Sequence, residues 1–127
     1  MRFLDTDVMV DILRANQKAL EWLDSLDEAP GLVGFVSMEL MQGCKDKGEM
    51  NRLINELQPF VVHWPSDAAC GRALHTYART HLSHGVGILD ALIGECAVER
   101  QAVLCTFNHR HFKGIENLET EQPYERK

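Results

Sequence analysis

Three acids interrupt segments of the chain that are otherwise apolar. Asp5 ends the run Arg2-Phe3-Leu4-Asp5. Glu39 follows a second apolar run, within Ser37-Met38-Glu39-Leu40. Asp90 sits inside Gly87-Ile88-Leu89-Asp90-Ala91-Leu92-Ile93. A buried carboxylate without a partner is costly, and several that face one point are accommodated by a divalent cation between them. Asn108, just after the last strongly apolar run, is a candidate fourth polar group. If these residues converge, their mutual repulsion raises at least one pKa unless a cation neutralises them. Hard oxygen ligands select Mg²⁺ or Mn²⁺ over zinc. A metal held this way keeps open positions, orients or deprotonates a water, and neutralises charge building on a phosphate oxygen. The chemistry that fits is in-line hydrolysis of a phosphodiester, with one metal or two.

Each acid also has a structural explanation. Asp5 can cap the helix that follows it, and Glu39, in the first turn of its helix, suits the helix dipole. Asp90 is harder to explain this way, because its neighbours on both sides are apolar. Asp7 reads as a helix-start residue ahead of a ligand.

The elements that must position these residues alternate between short apolar runs and helical stretches. Arg2 to Asp5 reads as a buried strand and Asp7 to Arg14 as a helix, which Thr6 or Asp7 can cap. Lys18 to Leu26 is a second helix with Leu20, Leu23 and Trp22 on its apolar side, stopped by Pro30-Gly31. Leu32 to Val36 reads as a second strand, with Ser37 as N-cap of the helix carrying Glu39, Leu40, Met41 and Cys44. Met50 to Leu57 is helical. Phe60 to Trp64 is a third strand. Ser66-Asp67 caps a helix reaching about Leu82, followed by a polar loop. Ile88 to Arg100 is a strongly apolar helix and Ala102 to Thr106 a fourth strand. Asn108 to Phe112 reads as one helical turn, Leu118 to Glu121 as a short edge strand, and the tail after Pro123 as mobile. Strands alternating with helices imply parallel pairing with helices on both faces. In such open sheets, functional sites lie outside the carboxyl ends of the strands. Asp5, Glu39 and Asn108 all fall just past such an end.

At 127 residues the expectation is one domain spanning residues 1–127. No apolar run approaches the roughly 20 residues that cross a membrane. Asp5 comes too early for a secretory signal, so the expected location is cytoplasmic. Cys44, Cys70, Cys96 and Cys105 form no Cys-x-x-Cys pair and read as buried or semi-buried thiols, not a disulfide framework or zinc site. The net charge of −6 argues against non-specific coating of nucleic acid. It is compatible with a nuclease whose acids hold metal, and it suits a basic partner protein. The basic residues are scattered. Arg110 and Lys113 are the best placed for phosphate contacts, with His109 or Arg110 beside the proposed site. His81, His84, His109 and His111 read as loop histidines and not as zinc ligands.

Four segments, in order, resemble the successive motifs of PIN-domain ribonucleases: Leu4-Asp5-Thr6-Asp7-Val8, Met38-Glu39-Leu40-Met41-Gln42-Gly43, Asp90-Ala91-Leu92-Ile93 and Thr106-Phe107-Asn108-His109-Arg110-His111-Phe112. The resemblance is greatest to the VapC-type toxins of bacterial type II toxin–antitoxin pairs, and it covers nearly the whole chain. It implies an α/β fold, a three-layer α/β/α PIN-like domain with a central, mainly parallel sheet. It implies Mg²⁺-dependent endoribonuclease activity (Mn²⁺ possible), an RNA substrate, a cognate antitoxin protein whose C-terminal segment blocks the site, and a homodimer. By this resemblance Asp5 and Asp90 are the principal metal ligands. Glu39 is the second acid, binding metal directly or through water. Asn108 stands where many members carry Asp and others Asn; an amide cannot act as a base, so its implied role is to position water or a ligand. Asp7 stands where many members carry Asn. Thr6 and Thr106 add hydroxyl contacts.

Two enzyme rivals share part of the pattern. Asp5-x-Asp7 after a first strand superficially matches haloacid-dehalogenase-like phosphatases, yet no Gly-Asp-x-x-x-Asp segment follows. A phosphoacceptor receiver domain needs an acid after its middle strand, where this chain has His63-Trp64-Pro65. A third alternative is a catalytically inactive PIN-like interaction module, which the Asn108 substitution keeps open. Metal-dependent turnover separates it from the enzyme.

Overall fold

The apolar runs form strands of two or three residues, too short to pack alone, and the helices between them supply the rest of the core. A computed structural model describes residues 1–126. Strand β1 (Arg2–Leu4) leads into α1 (Thr6–Leu13) and α2 (Gln17–Ser25). Strand β2 (Gly31–Val33) leads into α3 (Gly34–Gln42) and α4 (Lys47–Leu57). After β3 (Val61–His63) come the long α5 (Asp67–His84) and α6 (Ile88–Glu99). Strand β4 (Val103–Cys105), the single turn α7 (His109–Phe112) and β5 (Thr120–Glu121) complete the fold.

The five strands form one sheet, parallel throughout, in the order β3-β2-β1-β4-β5. The chain builds outward from β1 to β3, returns through α5 and α6, and builds outward the other way through β4 and β5. The order therefore reverses between β1 and β4, the topological switch point beside which the carboxyl ends of parallel strands open a crevice. Phe3 of β1 is paired with Gly31 on one side and Leu104 on the other. Strands covered on both faces read as continuous apolar runs, and Phe3, Leu4, Leu32, Val33 and Leu104 are fully buried. Val8, Met9, Val36, Ile93 and Cys96 from the helices pack against them. Burying each such side chain contributes about 1.5–3 kcal/mol.

Side-chain caps start four helices: Asp5, and not Thr6 or Asp7, caps α1, Ser66 caps α5 as the sequence places it, and Asn16 and Asp46 cap α2 and α4, for which the sequence names no cap. Asn16 accepts from the Ala19 N–H at 3.1 Å, Asp46 from Glu49 at 2.8 Å and Ser66 from Ala69 at 3.1 Å. Gly85, at φ 69°, ends α5 in the left-handed conformation that glycine adopts without strain. Between α5 and α6, buried Glu95 accepts from the Thr76 hydroxyl at 2.7 Å and faces Arg72 at 3.5 Å.

Several expectations are corrected. Strand β2 ends at Val33, and Gly34 to Val36 already belong to α3. Trp64 lies over this junction; a Cβ at position 34 would come within 2.3 Å of its ring. Ser37 is therefore inside the helix and does not cap it, and its hydroxyl is buried without a hydrogen-bond partner. Glu39 falls in the second turn and not the first. Leu20 is exposed, as is Cys70. Cys96 and Cys105 are buried, and burial pushes their thiols up to about 11 and about 12. The tail after Pro123 is packed through Arg126: Tyr124 and Arg126 both reach Asp11 of α1. Lys127, also in that tail, lies outside the described residues. Among the described residues, no helix is long and apolar enough to cross a membrane.

Candidate active site

Asp5 occupies the carboxyl end of β1 at the switch point, and it does two jobs. It caps α1, its Oδ1 accepting the Thr6 N–H at 2.8 Å. Its Oδ2 accepts the hydroxyl of Thr106, just past β4, at 2.8 Å. The same Thr106 oxygen accepts the Asn108 N–H at 3.0 Å. One hydroxyl thus ties the end of β1 to the start of α7. Asp5 is only 7% exposed. Burial first, then the charges of Asp7 and, less, Asp90 push its carboxyl up to about 6, while the Thr106 and Thr6 hydrogen bonds oppose the rise.

Glu39 reaches the same centre from α3. Its Oε1 accepts the Thr6 hydroxyl at 2.8 Å, so Thr6 serves Asp5 with its N–H and Glu39 with its side chain. Asp90 approaches from the N-terminus of α6, where the helix dipole favours an anion. Its Oδ2 accepts the Gly87 N–H at 3.0 Å. A Cβ at Gly87 would stand 3.1 Å from that oxygen, so glycine leaves the carboxylate room. Asn108 precedes α7 without capping it by its side chain, and the residue is exposed. Hydrogen bonds thus link Glu39, Asp5 and Asn108 through Thr6 and Thr106. Asp90 enters through its charge on Asp5.

Asp7 has a place of its own. Its Oδ1 accepts the Val8 N–H at 2.8 Å and its Oδ2 the Phe107 N–H at 2.9 Å. It joins the start of α1 to the β4–α7 turn. Burial raises its carboxyl, opposed by those two hydrogen bonds and by Arg126. His109 is directed elsewhere, with Nδ1 2.9 Å from the Thr120 hydroxyl. Sequence reasoning places His111 in a loop, whereas it lies within α7 with its Nδ1 3.7 Å from Asp90 Oδ2; its place just after Asn108 was the available signal. It did not find Tyr124 and Arg126, whose partners lie more than 100 residues away.

Among the described residues, no three or more His, Cys, Asp or Glu side chains are grouped as ligands around one point. The histidines have protein partners of their own: His81 Nδ1 contacts the Val86 carbonyl oxygen and His84 the Ser83 hydroxyl. Mg²⁺ is commonly bound by one or two carboxylates, with waters and substrate oxygens completing its shell. The donors that Asp5, Asp90 and Glu39 present are carboxylate oxygens, and burial together with the neighbouring acids disfavours the ionised form of Asp5 in the absence of a cation. That donor set fits Mg²⁺ or Mn²⁺.

The PIN-domain family model matches residues 2–118. No curated protein matches the sequence significantly. Solved structures match over nearly the whole chain. A toxin–antitoxin complex from Klebsiella pneumoniae superposes with a TM-score of 0.79 at 22% identity, covering 98% of this chain and 99% of that one. VapBC-1 from nontypeable Haemophilus influenzae gives 0.79 at 20% identity, with 98% of each chain covered. VapBC2 from Rickettsia felis, bound to a DNA fragment from its promoter, gives 0.79 at 23% identity over 94% of this chain and 96% of that one. At these identities the likeness is one of fold.

Proposed function

The chain belongs to the PIN-domain family, and from that premise we propose that it is a Mg²⁺-dependent endoribonuclease acting as the toxin of a type II toxin–antitoxin pair. PIN domains are generally nucleases. The observation that carries the reading is the meeting of Asp5 and Glu39 through Thr6 at the switch point, with Asp90 close enough to raise Asp5. We read residues 1–127 as a single domain.

Asp5 and Asp90 would hold the metal, and Glu39 would complete the acidic shell directly or through water. A bound Mg²⁺ or Mn²⁺ supplies a more acidic water and neutralises charge on the phosphate. Thr106 holds the Asp5 carboxylate in one orientation by donating to Oδ2. Glu39 takes up the proton of the attacking water. Asn108 has no basic group and orients that water. The water oxygen bonds to phosphorus, the bond to the 3′ oxygen breaks, and the leaving oxygen takes a proton from solvent. The products are a 3′-hydroxyl and a 5′-phosphate.

A protein partner is supported by an apolar groove of about 320 Å³ between α3, α4 and the edge strand β3, lined by Met38, Met41, Ile54, Val62 and Trp64. The partnerless Ser37 hydroxyl also lines it. We assign the cognate antitoxin to this face. A homodimer is supported by a second apolar depression on α5 and α6, lined by Leu74, Tyr77, Ile88 and Leu92.

The test is cleavage of pooled tRNA, rRNA and mRNA by the purified, antitoxin-free protein, with Mg²⁺ or Mn²⁺, with EDTA, and with Asp90→Asn in parallel. Discrete fragments that vanish with EDTA and in the variant support the reading. Full-rate cleavage by folded Asp90→Asn overturns the metal assignment. No cleavage of any pool by folded protein that binds metal leaves an interaction module or a phosphatase.

A further inference from the structure

The C-terminal segment lies against the back of the candidate active site. Tyr124 donates its hydroxyl to Asp11 Oδ2 at 2.7 Å, and the Arg126 Nε donates to the same oxygen at 3.2 Å. A second Arg126 nitrogen donates to the Asp7 carbonyl at 3.3 Å. The guanidinium also stands over the Phe107 ring, 4.2 Å from its centroid, and Tyr124 meets that ring edge-on at 5.0 Å. Phe107 is therefore held from two sides. Tyr124 and Arg126 hold its ring, and Asp7 holds its N–H.

Phe107 stands between Thr106 and Asn108 in sequence. Thr106 donates to Asp5, and Asn108 donates its N–H to Thr106. With the ring and the N–H both held, a displacement of the Phe107 backbone is carried into Thr106 and Asn108 through the planar peptide units they share with it. We propose that Arg126, acting through Phe107 with Tyr124 and Asp7, is a positioning residue for the Thr106–Asn108 turn. The segment then functions as a strap that sets where Asn108 and the Thr106 hydroxyl stand relative to Asp5. Arg126 itself touches no reacting atom. A guanidinium suits this role because one planar group stacks on a ring and donates in two directions at once. The catalytic half of the role rests on the proposed nuclease reading; the geometric half does not.

The experiment uses the full chain with Arg126→Gln, Arg126→Lys and Tyr124→Phe. Two readouts are taken: amide hydrogen exchange at Phe107 by NMR without metal, and kcat and KM for RNA cleavage with Mg²⁺. In Arg126→Gln the Phe107 N–H should exchange at least tenfold faster. The value of kcat should fall roughly ten- to a hundredfold, the scale expected of a displacement near 1 Å. KM and the melting temperature should stay close to wild type. Arg126→Lys should recover part of both effects, and Tyr124→Phe should show a smaller change in the same direction. Unchanged Phe107 exchange in Arg126→Gln overturns the proposal. So does a raised KM at constant kcat, which would make Arg126 a direct contact to the RNA. If the wild type cleaves no RNA, the nuclease reading fails, while the exchange measurement still decides the strap.

Discussion

Replacing Asp5 by Asn should stabilise the metal-free protein at neutral pH and lose most of that advantage in acid. The Asp5 carboxyl is raised from 3.8 to about 6, chiefly by burial and next by Asp7. A carboxyl whose folded pKa exceeds its unfolded pKa favours the fold when protonated. That stability is fully present below the unfolded value and is lost as pH rises through the folded one. Integrated between these two values, the ionised form costs the fold about 3 kcal/mol at pH 7.5 and about 1 kcal/mol at pH 4.5. Asp5→Asn keeps an oxygen for the Thr6 N–H and removes the titration. Its stability relative to wild type should therefore improve by about 2 kcal/mol between pH 4.5 and pH 7.5. Urea denaturation at both pH values, in EDTA, measures this difference. Adding Mg²⁺ at pH 7.5 should stabilise wild type and not the variant, because only the ionised site binds the ion and binding to the folded state adds stability. If the variant's relative stability is the same at both pH values, Asp5 does not carry the strained charge. If Mg²⁺ stabilises both proteins equally, Asp5 is not a ligand.

Thr106→Val keeps the side-chain shape but removes the donor to Asp5 and the acceptor for the Asn108 N–H. Leaving such groups unsatisfied costs about 1–3 kcal/mol, so urea midpoints should fall and RNA cleavage should weaken with them. Gly34→Ala puts a methyl within 2.3 Å of the Trp64 ring. The ring must leave its place at an overpacking cost of about 1–3 kcal/mol, readable as a lower melting temperature and a red-shifted Trp emission. Unchanged emission would mean that Trp64 does not cover the β2–α3 junction.

The order of elements was readable because it rests on local patterns. The run Phe3-Leu4 is apolar on successive positions, as a strand covered on both faces requires, and both side chains are fully buried. Topology followed from alternation; Asp5 stands at a strand's carboxyl end as the alternation implies, whereas Glu39 lies in the second turn of α3 and reaches the Thr6 hydroxyl from there. The β2–α3 boundary was misplaced for an equally physical reason. Gly34-Phe35-Val36 is as good a strand as a helix by composition, and what decides is Trp64, 30 positions later, lying on a glycine that has no Cβ to clash. Ser37 then looked like a cap because a hydroxyl before an acidic helical stretch usually is one. The tail was misread because polar, proline-bounded residues at a chain end carry no periodicity. Arg126 is ordered by Asp11, Asp7 and Phe107, and no local pattern records partners about 115 residues away or the stacking of a guanidinium on a ring. The acids announced themselves by standing among apolar neighbours. Thr106, which donates to Asp5, and Arg126, which lies on the Phe107 ring beside it, are ordinary in sequence and acquire their meaning only from the switch point between β1 and β4.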